Sequence, residues 1–268
     1  MPVNIVCCVK QVYDPETPQR AFKVEANKVV PAPGNPPVIS QFDQIAVEAA
    51  LRVRDGAGGG KITVLSLGPE SARDVIKTGL AMGGDEGVLL NDPALFDGDS
   101  YSTAVALKAA IDKIGDVDLV ICGRQATDWD NGVTGLALAE LLGVPSISIT
   151  KGISADGSGK VQAERVLGDA FETVEVPTPA VVTVSNELGE PRYPKLPQIM
   201  QAARKQVTVW TAADLGLSPD QVGAAGSRLT LERLYIPEVN NQVELVDGES
   251  PEEMAVALAN KLRDAKLI

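Results

Sequence analysis

The sequence predicts an α/β fold in which a mostly parallel β-sheet is covered by helices on both faces. Short apolar runs alternate with segments of helical periodicity from the start of the chain, so that four βα units can be read in order. The chain has 268 residues, of which 44% are apolar and 22% charged, close to the values of ordinary globular domains. It is therefore long enough for one large domain with its own core, with or without an appendage.

The first βα unit consists of a strand at residues 3–9 and a helix at residues 44–54. In that helix Ile45, Ala49 and Val53 recur at every fourth position and share one face, as expected of a helix that packs on a sheet. The later units follow the same alternation. Their strands are predicted at residues 62–67, 87–90 and 119–122, and their helices at residues 69–81, 102–113 and 133–142.

The alternation stops after residue 142, because the next four predicted strands have no helices between them. We expect these strands to form an antiparallel extension of the sheet. They are predicted at residues 146–150, 160–166, 171–176 and 180–184. A loop rich in proline and charge, residues 187–197, then leads into a short helix at residues 198–205. We expect the α/β domain to cover residues 1–237.

Residues 238–268 have a different character and are predicted to form a C-terminal helical arm. Ser250, Pro251 and Glu253 fit the N-cap, first and third positions of a helix. Met254, Leu258 and Leu262 then form an apolar stripe along it. Two interpretations stay open from the residues alone. The helix packs on its own domain, or it reaches a partner subunit.

The charge balance and the lack of histidine exclude several classes of function. With 24 basic and 36 acidic residues the formal net charge is −12, which disfavours nucleic acid and anionic membranes as partners. The chain has no histidine, so the usual general base and the commonest metal ligand are both missing. Most hydrolytic and metal-dependent chemistry is therefore disfavoured.

Cysteine placement and the start of the chain bear on the cellular compartment. Cys7, Cys8 and Cys122 lie inside predicted strands, without the spacing of a zinc or iron–sulfur site, and are expected to be buried free thiols. Such thiols are typical of a reducing compartment. The chain opens directly into a strand, without a basic or Arg-rich leader, and no apolar run reaches the roughly 18 residues of a membrane span. A cytoplasmic protein is expected.

The segment after the strand at residues 119–122 is a polar, glycine-punctuated turn that opens a helix. Free backbone N–H groups and the helix dipole favour a phosphate there, although the loop is neither G-x-G-x-x-G nor a Walker loop. Thr134 and nearby amides are candidate phosphate ligands, and Trp129 is a candidate to stack on a base or to cover the fold. Asp128 and Asp130 are expected to cap the helix, contact ribose hydroxyls or orient the loop. The candidate cradle consists of Gly123, Arg124, Gln125, Ala126, Thr127, Asp128, Trp129, Asp130, Asn131, Gly132, Val133 and Thr134.

The alternative for this loop is an ordinary long turn in which Asp130 or Asn131 caps the helix. Ligands of open α/β sheets bind beyond the carboxyl ends of the strands, and two more segments lie there. Leu67 ends the second strand, at a turn where Gly68 permits close backbone approach of a ligand, although a simple tight turn is the slightly preferred interpretation. A second wall precedes the first helix, although its Phe42 fits the core equally well. This wall consists of Ser40, Gln41, Phe42 and Asp43.

Several segments in the expected order closely resemble the beta subunit of electron transfer flavoproteins. The longest, residues 190–200, reads Glu-Pro-Arg-Tyr-Pro-Lys-Leu-Pro-Gln-Ile-Met and precedes a basic run. The others are Val9-Lys10-Gln11-Val12, Ile45-Ala46-Val47-Glu48, Leu80-Ala81-Met82-Gly83, Gly123-Arg124-Gln125-Ala126 and Pro179-Ala180-Val181-Val182-Thr183. The resemblance spans nearly the whole chain. It implies a Rossmann-like parallel-sheet domain.

The resemblance implies a heterodimer in which an alpha subunit holds the electron-carrying FAD and the beta subunit buries a second nucleotide. That nucleotide is AMP in the common type and a second FAD, reduced by NADH, in the electron-bifurcating type. Carried over by motif, the pocket comprises Cys8, residues 40–43, Leu67 and residues 123–134. The family's Asn-Pro-Phe is replaced by Ser40-Gln41-Phe42, which puts that contact in doubt.

Two positions of the loop favour AMP. Trp129 stands where bifurcating members have a glycine, and Thr134 stands where they have a valine. A tryptophan narrows the space for an isoalloxazine ring, and a hydroxyl near a terminal phosphate suits a mononucleotide. An AMP in this subunit is therefore the expectation, with a second FAD as the alternative.

The resemblance also implies docking partners. The beta subunit would carry electrons between acyl-CoA-type dehydrogenases and an acceptor such as a quinone oxidoreductase, as a carrier subunit and not as an enzyme by itself. Leu196 resembles the leucine that anchors in a pocket of the dehydrogenase, with Tyr193, Ile199 and Met200 beside it. From the residues alone Leu196 would be assigned to the core. The arm would wrap the alpha subunit.

The resemblance gives a further possible contact, and one competing class is kept. Tyr13 and Phe42 would lie near the edge of the alpha-bound flavin, although Tyr13 is offset from the family's usual aromatic. A stand-alone nucleotide-binding sensor protein with a similar sheet is the competing class. An ATP-hydrolysing enzyme is disfavoured, because the sequence shows no Walker lysine and no metal-ligand cluster.

Overall fold

The structure, a computed structural model, describes residues 2–31, 34–238 and 243–268. Residues 239–242 of the predicted arm, and residues 1, 32 and 33 of the predicted domain, lie outside the described residues. The helices are α1 (Gln41–Gly56), α2 (Arg73–Met82), α3 (Ser100–Ile114), α4 (Thr134–Leu142), α5 (Leu196–Arg204) and α6 (Pro251–Asp264). The strands are β1 (Ile5–Cys8), β2 (Gln11–Val12), β3 (Phe22–Glu25), β4 (Lys28–Pro31), β5 (Val38–Ile39), β6 (Ile62–Leu67), β7 (Glu86–Leu90), β8 (Leu119–Gly123), β9 (Ser146–Ala155), β10 (Lys160–Leu167), β11 (Ala170–Pro177), β12 (Ala180–Val184) and β13 (Val207–Trp210).

A nine-stranded sheet forms the centre of the fold, in the order β11-β10-β9-β12-β8-β1-β6-β7-β13. The seven strands from β9 to β13 in that order run parallel to one another. β10 and β11 run antiparallel at one end. The predicted α/β fold with an antiparallel extension is confirmed.

Helices cover both faces of this sheet, as predicted. α1 and α2 pack on one face, where residues such as Leu51 and Ile76 are fully buried against Ile5, Ile62 and other strand residues. α3 and α4 pack on the opposite face, over a second apolar cluster. Successive side chains of β1 therefore alternate between the two clusters.

The strand at residues 180–184 is not part of the antiparallel extension, and that prediction is wrong. β12 lies between β9 and β8 and is parallel to both. All five of its residues are buried, as is typical of a strand covered on both faces. The β10–β11 hairpin continues beyond β9, and the chain then returns to insert β12 nearer the centre of the sheet. Only β10 and β11 form the extension.

Some short strands were not predicted. β13 pairs in parallel with β7 at the sheet edge, and β3 pairs with β4 in a hairpin. Each has only four residues and is half exposed or more along much of its length. Their apolar patterns are therefore too short to stand out in the sequence.

The chain leaves the domain along a path tied down by two polar side chains. The Asp99 carboxylate accepts the backbone N–H groups of Arg228 and Leu229 at 2.7 and 3.0 Å. Further on, the Asn27 side chain accepts the N–H of Leu234 and donates to the carbonyl of Glu232. These bonds attach the segment up to residue 234 to residues 27 and 99.

Helix α6 begins where the sequence predicts, because the Ser250 hydroxyl accepts the backbone N–H of Glu253 at 3.2 Å. None of its residues is buried, and Met254, Val256 and Leu258 expose apolar surface. Because α6 buries none of its residues, the predicted contact of the arm with a partner subunit stays a prediction. Among the described residues, no helix combines the length and apolar character needed to cross a bilayer.

Candidate functional site

Three neighbouring parallel strands end side by side at one edge of the sheet. They are β8, β1 and β6, whose last residues are Gly123, Cys8 and Leu67. The register places Cys8 between Cys122 and Leu65. The structure therefore brings together the strand ends that the sequence assigns to a ligand crevice.

Asp43, in the first turn of α1, is a buried side chain that joins two of these strand ends. Its Oδ2 accepts the backbone N–H of Lys10 at 2.8 Å, and its Oδ1 accepts that of Gly123 at 3.1 Å. Burial raises the pKa of the Asp43 carboxyl to about 7, although the two N–H groups act against that shift. Asp43 thus fixes the wall formed by residues 40–43 against the start of the loop.

Gly123 has to be glycine because the first turn of α1 lies directly on its backbone. A Cβ at Gly123 would lie 2.5 Å from Oδ1 of Asp43 and 2.7 Å from Cβ of Phe42, well inside contact distance. Phe42 itself is half-buried, with the Arg124 guanidinium carbon 5.9 Å from its ring centroid. The predicted second wall and the predicted cradle are therefore in contact.

Hydrogen bonds inside the loop fix its shape. The Gln125 side-chain amide donates to Oδ1 of Asp130 at 2.9 Å, and the N–H of Asp130 donates to the carbonyl of Ala126 at 3.0 Å. Asp130 adopts a left-handed backbone with φ of 50°, which a short polar residue tolerates. The Asp130 side chain therefore orients the loop, one of the roles expected for it.

The other loop carboxylate, Asp128, is paired with a cation. Lys10 Nζ lies 2.7 Å from Oδ2 of Asp128, which ties the loop to the end of β1. No role was predicted from the sequence for the Lys10 side chain. Its position directly after a buried strand, where ligands of such sheets bind, is the feature that could have indicated one. The pair neutralises one of the two acidic charges in the cradle.

Neither Asp130 nor Asn131 caps α4, so that alternative is wrong. The N-cap is Val133, which has no side-chain oxygen, and Thr134 is the first helical residue. Asn131 instead donates to the Ser100 hydroxyl at 3.4 Å. The first N–H groups of α4 therefore lack a capping side chain. This is the arrangement in which a helix N-terminus accepts an anion.

Three buried hydroxyl groups have no hydrogen-bond partner within the described part of the chain. They belong to Ser40, Ser66 and Thr127. Ser40 directly precedes α1, Ser66 is the penultimate residue of β6, and Thr127 lies in the loop after β8. A buried hydroxyl without a partner costs about 1–3 kcal/mol, so a polar ligand at this edge would relieve that cost.

The aromatic residues near this edge differ in their exposure. Trp129 is 52% exposed and lies on the outside of the loop. Tyr13 packs against the β3–β4 hairpin, with its ring 5.7 Å from that of Phe22 and its hydroxyl donating to the Val29 carbonyl. Whether Trp129, Tyr13 or Phe42 contacts a cofactor stays a prediction.

The three cysteines are buried free thiols, as predicted. The pKa of Cys122 is raised well above its usual value by its hydrogen bond with Cys8 and by burial. The pKa of Cys7 is also raised, mainly by burial. These two thiols remain protonated at neutral pH and are poor nucleophiles.

A second surface lies away from the strand ends, around the start of α5. Tyr193 is 93% exposed and Leu196 is 70% exposed, and Ile199 and Met200 are also largely in solvent. We call residues 189–196 the docking loop, after the role that the family resemblance predicts for Leu196. The assignment of Leu196 to the core, which its residue type alone suggests, is wrong. Exposed apolar clusters are typical of interaction sites, and a docking role for this one stays a prediction.

The model of the electron transfer flavoprotein domain matches residues 29–215, more than half of the chain. The chain belongs to the electron transfer flavoprotein family. The matched region contains α1, the loop after β8 and the docking loop, whereas the end of β1, with Cys8 and Lys10, precedes it.

Curated relatives place the chain with the beta subunits of electron transfer flavoproteins. It is 37% identical to the electron transfer flavoprotein subunit beta of Thermoanaerobacterium thermosaccharolyticum, over 93% of this chain and 94% of that protein. It is 33% identical to the caffeyl-CoA reductase-Etf complex subunit CarD of Acetobacterium woodii, over 99% of this chain and all of that protein. It is 35% identical to the subunit beta of Mycobacterium tuberculosis strain H37Rv, over 85% of this chain and 86% of that protein.

The Asp43 bridge predicts a pH effect on the stability of this electron transfer flavoprotein chain. The raised pKa means that the folded state holds a proton on Asp43 between about pH 4 and its folded value of about 7. The contribution of Asp43 to stability is therefore fully present below about pH 4 and is lost as the pH rises through about 7. In Asp43→Asn the titration is absent, so the stability margin of the wild type over the variant should shrink from about pH 4 to about pH 7 and stay level above that.

Denaturant or thermal unfolding of both proteins across this range measures the margin. Asp99→Asn is the matched control, because backbone N–H groups outweigh burial and lower the pKa of Asp99. A group with a lowered pKa stabilises the fold above its unfolded value, so that margin should not shrink. Parallel stability curves for wild type and Asp43→Asn would contradict the buried, proton-binding bridge.

Proposed function

We propose that the chain is the beta subunit of a heterodimeric electron transfer flavoprotein that buries a structural AMP and docks dehydrogenases. It would carry electrons from acyl-CoA-type dehydrogenases to an acceptor such as a quinone oxidoreductase, as a carrier subunit. The observation that carries this proposal is the family membership combined with the cradle formed by α1, β8 and α4. FAD, held mainly by the alpha subunit, would supply the redox chemistry.

The donor set of the cradle supports a nucleotide phosphate. The uncapped start of α4 offers backbone N–H groups and the Thr134 hydroxyl. The hydroxyls of Ser40 and Thr127 are buried without partners, and Lys10 neutralises Asp128. The remaining pocket residues proposed by family motif are Cys8, Gln41, Phe42, Asp43, Leu67, Gly123, Arg124, Gln125, Ala126, Trp129, Asp130, Asn131, Gly132 and Val133.

Two residues support AMP over a second FAD. Trp129 and Thr134 stand where bifurcating members of the family have glycine and valine. A second FAD with an NADH site in this subunit is the competing reading. One relative, CarD, is named as a subunit of a caffeyl-CoA reductase-Etf complex. A reductase of that kind is therefore a second candidate partner for this chain.

The nucleotide prediction is tested by releasing every small molecule from the purified heterodimer with acid. Chromatography should find AMP and FAD in equal amounts. Thr134→Val should lower the AMP content, because it removes a hydroxyl at the phosphate position, while the FAD content stays unchanged. Two flavins per heterodimer, or bleaching of the flavin by NADH, would contradict the AMP assignment.

The docking prediction concerns Leu196. Truncation in Leu196→Ala should lower kcat/KM for electron transfer from the dehydrogenase by about tenfold or more, since a central apolar anchor carries a large share of the binding energy. Steady-state reduction of the heterodimer by a dehydrogenase measures the effect. Val209→Ala, which truncates an exposed side chain on the edge strand β13, is the matched control and should couple normally. Unchanged coupling in Leu196→Ala would refute the anchor.

The arm prediction concerns residues 238–268, which we propose to wrap the alpha subunit. Deleting them should weaken the heterodimer while leaving the domain folded, because none of the α6 residues is buried. Co-purification and sedimentation of the two subunits, with circular dichroism of the truncated chain, measure both effects.

A full-length variant separates the apolar stripe from the length of the arm. Met254→Ser combined with Leu258→Ser keeps the arm but removes exposed apolar surface, and should weaken the heterodimer in the same direction. A truncated chain that binds the alpha subunit as tightly as the wild type would sink the arm proposal.

A further inference from the structure

Glu48 is a carboxylate in the middle of α1 that is only 4% exposed. The Arg192 guanidinium donates hydrogen bonds to both of its oxygens, from Nε to Oε2 at 2.8 Å and from Nη2 to Oε1 at 3.3 Å. The backbone N–H of Arg192 donates to Oε2 as well, at 3.1 Å. Burial would raise the pKa of the Glu48 carboxyl, but these hydrogen bonds and that of Arg52 lower it below its usual value. The start of the docking loop is thereby tied to α1.

Arg52, one turn further along α1, reinforces this attachment. Its Nε donates to Oε1 of Glu48 at 2.8 Å, and its Nη1 donates to the carbonyl of Leu188 at 2.9 Å. Leu188 directly precedes the docking loop. Arg52 and Arg192 both donate to the Glu48 carboxylate, and together they fix the chain from residue 188 to residue 192.

The C-terminal end of α5, the helix that begins at Leu196, is attached by lysines. Lys77 of α2 donates to the carbonyls of Ala202 at 2.9 Å and Ala203 at 3.1 Å, and also to that of Lys205. Lys205 in turn donates to the carbonyl of Gly84 at 2.6 Å. The bonds from Lys77 satisfy carbonyls at the C-terminal end of α5, which a helix end otherwise leaves unpaired.

The segment between the two attachments faces solvent. Tyr193 and Leu196 are among its most exposed side chains, and Pro191, Pro194 and Pro197 restrict its backbone. An unrestrained apolar loop would tend to collapse onto the domain, because burial of apolar surface is favourable. The two attachments and the prolines instead hold Leu196 outward.

We propose that Glu48 and Arg192 are positioning residues for docking, which hold Leu196 in the conformation that the partner dehydrogenase binds. This inference rests on the proposed docking function of Leu196. A loop that is already ordered loses less conformational entropy on binding, so the fork between Arg192 and Glu48 favours association without touching the partner. The partner that we infer has a preformed apolar pocket, because an ordered Leu196 gains most when its binding site also needs no rearrangement.

Stabilisation of the fold is a weak explanation for the Arg192–Glu48 ion pair. A buried ion pair often contributes little to stability compared with apolar residues of similar size. A bidentate fork, in contrast, gives a defined geometry that a single charge does not. That geometry is what a displayed docking loop requires.

The test uses the complete heterodimer with Arg192→Gln, since Arg192 is partly exposed on the loop and Arg52 remains to pair with the buried Glu48. The KM for the reduced dehydrogenase should rise about tenfold, while kcat at saturation stays within about twofold, because the lost ordering is restored once the partner is bound. FAD and AMP contents should match the wild type. Arg192→Lys should fall between the two, since lysine keeps the charge but lacks the fork.

A matched control replaces an ion pair on α3, on the opposite face of the sheet from α1 and α2. Lys108 Nζ lies 2.6 Å from Asp112 Oδ2 in an exposed pair, and Lys108→Gln should leave the KM unchanged. Amide hydrogen exchange over residues 189–195 should be faster in Arg192→Gln and unchanged in Lys108→Gln.

The double variant with Leu196→Ala separates positioning from direct contact. If Arg192 acts through Leu196, the double variant should behave as Leu196→Ala alone. Multiplying effects would mean that Arg192 acts independently, which overturns the positioning role. A KM that rises in Leu196→Ala but not in Arg192→Gln would overturn the proposal and leave docking by Leu196 intact. If neither variant changes the KM, the proposed docking function fails as well.

Discussion

Helix α1 supports both functional segments because it carries two buried acidic side chains. It packs against β1, β8, β9 and β12 near the centre of the sheet. Asp43 and Glu48 lie on it about 7.5 Å apart along the helix axis, at about 1.5 Å per residue. Burying a carboxyl group is unfavourable unless it is fully hydrogen-bonded. Here the donors come from Lys10 and Gly123 at the strand ends and from Arg192 of the docking loop.

This shared support explains why segments far apart in sequence form defined surfaces. The cradle loop depends on α1 for its first residue, and the docking loop depends on α1 for its start. Both sites therefore stand on a rigid element and not on flexible loops alone, which keeps binding groups in place before a ligand or partner arrives. In the proposed function, a nucleotide would complete the set of donors at the edge of the sheet, and the docking loop would contact partner proteins.

Sequence periodicity predicted the α/β class and most of the central sheet, because each βα unit carries its own apolar signal. It misplaced β12, since strand order in the sheet is set by long-range pairing that a local pattern does not contain. The exposure of Leu196 followed from the family resemblance but not from its residue type, because the two attachments that hold it outward involve Glu48 and Lys77, far away in sequence. Glu48 itself reads as half of an ordinary pair with Arg52 on a solvated helix face. Only the fold shows that it is buried and held by Arg192.

The central claim, that the two acidic side chains of α1 fix the cradle and the docking loop, is tested most directly by amide hydrogen exchange at single-residue resolution on the complete heterodimer. The backbone N–H groups of Lys10, Gly123 and Arg192 donate to those side chains. All three should exchange orders of magnitude more slowly than the N–H of Tyr193, the most exposed of the docking residues, and at rates close to those inside α1. Exchange of the three amides as fast as that of Tyr193 would contradict the account.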